Sequence, residues 1–137
     1  MAVAADPMYA PAHNDLGLVY YQLNRLYEAA WEFKNAANLV PSEPQPLNNL
    51  GLVMEKAGRL PEAEQSFSKA VALDPDNVEC SANLARIRIR RGERDQTTRD
   101  LLERIILKDP RADWVQWTQF NLSRLRPAPD DSFTPKG

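Results

Sequence analysis

The chain has 137 residues, 43% of them hydrophobic, with a net charge of −2, one histidine and one cysteine, a size that suits one domain. No apolar run approaches the ~18 residues of a membrane span, and no basic start followed by a long apolar core marks a secretory leader. One cysteine excludes an internal disulfide and leaves the compartment open, with a cytoplasmic setting slightly favoured. The charge is unevenly placed: residues 1–77 carry 5 Lys/Arg against 10 Asp/Glu, and the remainder 12 against 9. Nucleic acid calls for a more basic chain with interleaved aromatics, so an acidic or carboxylate-bearing peptide is the milder inference.

Residues 2–7 read AVAADP and residues 70–75 read AVALDP. Residues 1–9 are therefore expected to be the tail of a truncated preceding unit. An uncovered stacking face there predicts self-association through the N-terminal end.

The unit itself is clearest at residues 44–77. Leu47, Leu50, Gly51 and Met54 fall at helical spacing. Gly58 can take the positive φ that ends a helix, and Pro61 suits a first turn. Ala63, Phe67, Ala70 and Val71 line a second helix, which stops at Asp74-Pro75 because the residue before proline is pushed out of the α region. Moving back by 34 positions, Leu50, Gly51, Leu60, Ala63, Phe67, Ala70, Leu73 and Pro75 become Leu16, Gly17, Leu26, Ala29, Phe33, Ala36, Leu39 and Pro41, with every residue type kept. That earlier unit spans residues 10–43. A third, less regular unit spans 78–112. Asn83, Leu84 and Gly92 keep the register, Ala85 replaces the small glycine, and Arg88 stands where Tyr20 and Met54 stood. One residue is inserted before Leu102 and Ile105, and Leu101, Leu102, Ile105 and Ile106 are expected to face inward.

Asp113 reads as an N-cap. Trp114, Trp117, Asn121 and Leu125 then share a face of a capping helix over residues 113–126, which covers the last unit. Residues 127–137, PAPDDSFTPKG, hold too little apolar content to pack and are expected to be disordered.

A period of 34 with L-G, A-x3-F and a closing proline resembles the tetratricopeptide repeat (TPR) family over roughly residues 1–110. The resemblance implies an all-α right-handed superhelix (solenoid) of antiparallel helix pairs, cut from a longer array and closed by the C-terminal capping helix. It also places His13 where the family carries its first aromatic.

No catalytic motif is present: GxSxG, HExxH, a phosphate-binding glycine loop and CxxC are all lacking. Glu28/Glu32 and Glu62/Glu64 read as surface charges. His13 has no ligand partner nearby in sequence and reads as half-buried packing, Cys80 as a small packed residue, and Trp31 as outward-facing or touching a neighbour. No cofactor, metal or catalytic site is predicted.

The positive case is a groove, because the first helices of stacked pairs line the inner side of a solenoid. Asp15, Asn49 and Asn83 precede the small residue pair. Leu18, Leu52 and Arg86, then Gln22, Lys56 and Arg90, follow on the same face, with Asn14 and Asn48 beside them. An asparagine amide both donates and accepts, so Asn49 and Asn83 are candidates for holding a peptide backbone. Such asparagines resemble the ladder of long superhelical TPR domains, which Asp15 breaks here. The co-chaperone clamp of the family fits poorly: its places hold Asn14, Leu18, Asn49, Glu79 and Asn83, and only Asn49 matches. The expectation is a non-catalytic module that binds an extended protein segment in the groove. A structural, self-associating scaffold and an accessory region of a larger enzyme stand as alternatives.

Overall fold

The computed structural model describes residues 9–125, which form seven helices and no strand. In chain order these are α1 (Ala10–Gln22), α2 (Leu26–Leu39), α3 (Pro44–Lys56), α4 (Leu60–Leu73), α5 (Val78–Arg90), α6 (Gln96–Lys108) and α7 (Ala112–Arg124). The expectations for residues 1–8 and 127–137 fall outside the described residues.

Each pair turns on one left-handed residue. Asn24 (φ 61°), Gly58 (φ 79°) and Gly92 (φ 81°) stand one period apart, and asparagine is among the few non-glycine residues that tolerate this region. Beyond each, the same backbone bond recurs: the N–H of Arg25 donates to Tyr20, of Arg59 to Met54 and of Glu93 to Arg88, all at 2.8 Å. Prolines occupy the first turns of α1, α3 and α4, where a missing N–H costs nothing. The insertion in the third unit is absorbed in its turn. Asp95, where the first two units have Arg25 and Arg59 as N-caps, caps α6 by accepting from the Thr98 N–H at 3.1 Å, and Leu102 and Ile105 still reach the buried places of Phe67 and Ala70.

Within the first two pairs, a phenyl ring fills the space left by a glycine. A Cβ at Gly17 would lie 2.6 Å from the Phe33 ring, and one at Gly51 2.5 Å from the Phe67 ring. In the third unit Ala85 and Leu102 take these two places, both fully buried, so a larger residue on one helix faces a smaller one on the other.

Every helix packs on the next, and α1 also touches α3, as α3 touches α5. The second helices α2 and α4 do not touch each other, nor do α4 and α6. The first helices therefore form an inner layer and the second helices an outer one. At the C-terminal end Trp114, Trp117 and Leu122 pack against the core and Leu125 is buried, as expected of a cap. One detail is corrected: Asp113 is not the N-cap. Arg111 holds that place and Asp113 lies in the first turn, where a negative charge still meets the positive helix end.

Candidate functional site

The inner layer is laced by side-chain amides. Asn49 Nδ2 donates to Asn14 Oδ1 at 3.0 Å, joining α3 to α1, and Asn83 Nδ2 donates to Asn48 Oδ1 at 2.9 Å, joining α5 to α3. Gln45 Nε2 donates to Asn49 Oδ1 at 3.3 Å, and Asn48 Nδ2 donates to Glu79 Oε1 at 3.4 Å. Asn49 and Asn83 are 3% and 7% exposed, and Asn48 is fully buried. The asparagines are therefore rungs between helices, not freely solvated side chains. Each of Asn49 and Asn83 retains one N–H and one oxygen lone pair beyond these bonds.

Charge is concentrated where α3 meets α5. Arg86 reaches Glu55 through Nη2 at 2.6 Å and Nε at 3.1 Å, and its Nη1 donates to Asn83 Oδ1 at 2.7 Å. Arg90 Nη1 reaches the same carboxylate at 2.8 Å. Two guanidiniums thus share one carboxylate, which leaves a positive charge at this end of the face. Burial alone would raise the Glu55 carboxyl, but hydrogen bonds from Arg86 and then Arg90 outweigh it and hold the group below its usual 4.5. Lys56 sits over the Tyr21 ring, 4.6 Å from its centroid.

Of the other candidate groove residues, Asp15, Leu18, Gln22, Lys56 and Arg90 are exposed and Asn14, Leu52 and Arg86 half-buried. Glu55 and Gln45 belong to the same network without having been singled out, and Glu79, named only as a clamp place that fits poorly, joins it too. For Glu55 the signal lies in the spacing: like Asn14–Asn49 and Asn48–Asn83, Glu55–Arg90 is 35 apart, one more than the repeat, which is an offset at which adjacent first helices touch.

Two carboxylates read as surface charges are not. Glu32 is buried, and His13 Nδ1 donates to its Oε1 at 2.6 Å. His13 is itself buried, more deeply than the half-buried packing expected. Glu64 accepts from Arg88 at 2.9 Å and Arg91 at 2.7 Å. Cys80 is buried as expected. Burial first, then Glu79 and Asp74, push its thiol up to about 11, so at neutral pH it stays protonated and unreactive. Among the described residues no group of three or more His, Cys, Asp or Glu is placed to hold a metal, and no helix is long and apolar enough to cross a membrane.

The depressed Glu55 carboxyl sets a pH dependence. Its contribution to stability is fully present above its ordinary value of 4.5 and is lost as pH falls through its lower folded value. Thermal unfolding followed by circular dichroism should show the midpoint falling across this acid range. Glu55→Gln should flatten that fall, and an equal acid response in both proteins would count against the shared-carboxylate geometry.

Pairs of antiparallel helices stacked at a period of 34, with an inner layer tied by polar rungs, define a helical-repeat solenoid. A "Tetratricopeptide repeat" family model matches residues 55–116 and a "TPR repeat" model residues 17–58; the chain belongs to the tetratricopeptide repeat family. Among solved structures, the first TPR of Spaghetti (RPAP3) bound to the HSP90 peptide SRMEEVD is similar at a TM-score of 0.77 and 16% identity, over 85% of this chain and 94% of that one. The TPR2B domain of yeast Sti1 in its pHsp70 complex gives 0.75 and 19%, over 85% and 98%. The second TPR domain of human RPAP3 with the HSP70 peptide SGPTIEEVD gives 0.74 and 17%, over 87% and 96%. At these identities the likeness is one of fold. No curated protein matches the sequence.

Proposed function

We propose that this chain is a non-catalytic module that binds an extended peptide along its inner helical layer. The observation that carries this reading is the row of exposed side chains left beside the amide rungs: Asp15, Leu18 and Gln22 on α1, Lys56 on α3, Arg90 on α5. The rungs hold the three helices at fixed spacing, so the row is preorganised and little ordering is needed on binding. The remaining N–H and lone pair of Asn49 and of Asn83 suit a peptide backbone. Leu18 and Leu52 suit an apolar side chain. Arg86 and Arg90, sharing one Glu55, leave a positive charge for a ligand carboxylate. The similar TPR domains bound to peptides that end in EEVD lend support to a peptide ligand. The poor match of Leu18, Glu79 and Asn83 to the family's carboxylate clamp speaks for a different binding mode.

A peptide library screened against wild type and Arg90→Glu tests this. Arg90 is exposed, so its reversal leaves the rungs intact. Affinity for acidic peptides should fall by about tenfold or more, as loss of one charge-assisted bond implies, and wild-type affinity should weaken with added salt. Neutral peptides should be held as before. Asn49→Ala/Asn83→Ala should weaken all peptides alike, read beside its thermal midpoint because these residues also join the helices. If both variants bind every hit as wild type does, the inner layer is not the site.

A further inference from the structure

The repeat supplies its own internal control on the outer surface. Between α2 and the end of α3 lies a groove of about 340 Å³, floored by Ala30, Val53 and Met54 and edged by Tyr27, Trp31 and Lys34. One period later, Ala30, Met54 and Ala57 become Glu64, Arg88 and Arg91. There the corresponding groove is open as well, about 500 Å³, but its lining is polar, with Glu64, Gln65, Ser68, Lys69 and Arg91, and Arg88 and Arg91 reach Glu64 at 2.9 and 2.7 Å. In the first groove Ala30, Val53, Met54 and Ala57 make an apolar floor in place of those ion pairs.

Two further differences point to a ligand. Tyr27 is 82% and Trp31 55% exposed, where the next unit carries Pro61 and Gln65. Pro61 and Gln65 remain exposed although the first unit is stacked before theirs. A repeat stacked before the first would by the same geometry leave Tyr27 and Trp31 open, so they do not mark an interrupted array. The charged lining residues, Lys34 and Arg59, are both cations. Arg59 is shared with Glu62 at 2.7 Å, and Lys34 makes no ion pair among the described residues.

We infer that this outer groove is a second binding site, taking a partner segment in which a bulky apolar side chain stands beside a carboxylate. The apolar side chain enters between Trp31 and Met54, and the carboxylate meets Lys34. Charge complementarity sets the sign of the partner, and desolvation of the exposed aromatics supplies the main driving force. The site is separate from the inner layer, so either can fail without the other.

The test is a nuclear magnetic resonance titration of the full chain with the capped peptide Gly-Leu-Phe-Asp-Asp-Gly and its Asn-Asn counterpart. The acidic peptide should shift the Trp31 indole N–H and the amides of Ala30, Val53 and Ala57 saturably, and the uncharged one should bind about tenfold more weakly. Ala30→Glu/Ala57→Arg, which copies the ion-paired groove, should abolish the shifts while keeping the helix content. Trp31→Gln/Lys34→Ser, which copies the surface of the next unit, should do the same. The inference is overturned if no saturable shift occurs, if both peptides bind alike, if shifts persist in the variants, or if they fall on Leu18 and Lys56 instead. Asp130→Asn/Phe133→Ala provides the last arm. If it moves the Trp31 signal with no peptide added, the chain's own residues 127–137 occupy the groove and the reading of an external partner is wrong.

Discussion

Phe67→Ala is expected to lower the free energy of unfolding by about 3–5 kcal/mol, the usual cost of emptying a buried phenyl site. Phe67 is completely buried in the cluster shared by α4, α5 and α6, and its ring lies against the backbone at Gly51, where even a Cβ would be 2.5 Å away. The helix cannot move in to fill the hole without breaking its neighbours' packing, which is why the upper part of the range applies. The same geometry predicts a coupling. Gly51→Ala alone should cost about 1–3 kcal/mol through overpacking, whereas Gly51→Ala/Phe67→Leu should recover much of that, because Ala85 and Leu102 form this pair in the third unit. Chemical denaturation of the four proteins in a cycle measures it. Strictly additive costs would mean that the ring and the glycine do not share this space.

The second large effect is expected at Arg88. Its side chain is 14% exposed and ties three helices together. Nη1 donates to Glu64 at 2.9 Å, Nη2 to both oxygens of Asp95 at 2.9 Å, and Nε to the Thr98 hydroxyl at 3.0 Å. The hydrogen bond from Arg88, followed by the Thr98 backbone amide, holds the Asp95 carboxyl below its ordinary value. Arg88→Met, which installs the residue of the second unit, keeps the stem volume and removes the charge. It should cost about 2–3 kcal/mol, since hydrogen bonds to charged groups are lost and Glu64 keeps only Arg91. The full penalty of a buried pair does not apply, because Asp95 is more than half exposed and screened by water. Glu64→Gln added to Arg88→Met should recover part of the loss. A shift below about 0.5 kcal/mol in the single variant, the range of ordinary surface changes, would show that these pairs are ornamental.

By itself the sequence determined the repeat and the helix pairs. Those follow from local chemistry repeated at a fixed period: a glycine able to take positive φ at Gly58 and again at Gly92, prolines that cannot extend a helix, and apolar residues at helical spacing; that Asn24 fills the same place came from the structure. It also located the inner-layer residues, since position within a repeat maps to position in the solenoid. The tertiary structure alone decided which polar side chains are partners. Taken one helix at a time, Asn49 and Asn83 are open amides, yet their partners Asn14 and Asn48 come from the first helix of the preceding unit. Glu55 meets Arg86 and Arg90 only across the α3–α5 contact. Glu32 and Glu64 looked like solvated charges because helical spacing says nothing about which outward positions a second helix covers. The apolar outer groove emerged in the same way, since an alanine or methionine in place of a charge makes an apolar floor only when the opposing helix presents apolar atoms there as well. Helix formation is set within a few residues of sequence, whereas hydrogen-bond and ion-pair choice is set by distances across helices, which depend on how the pairs stack.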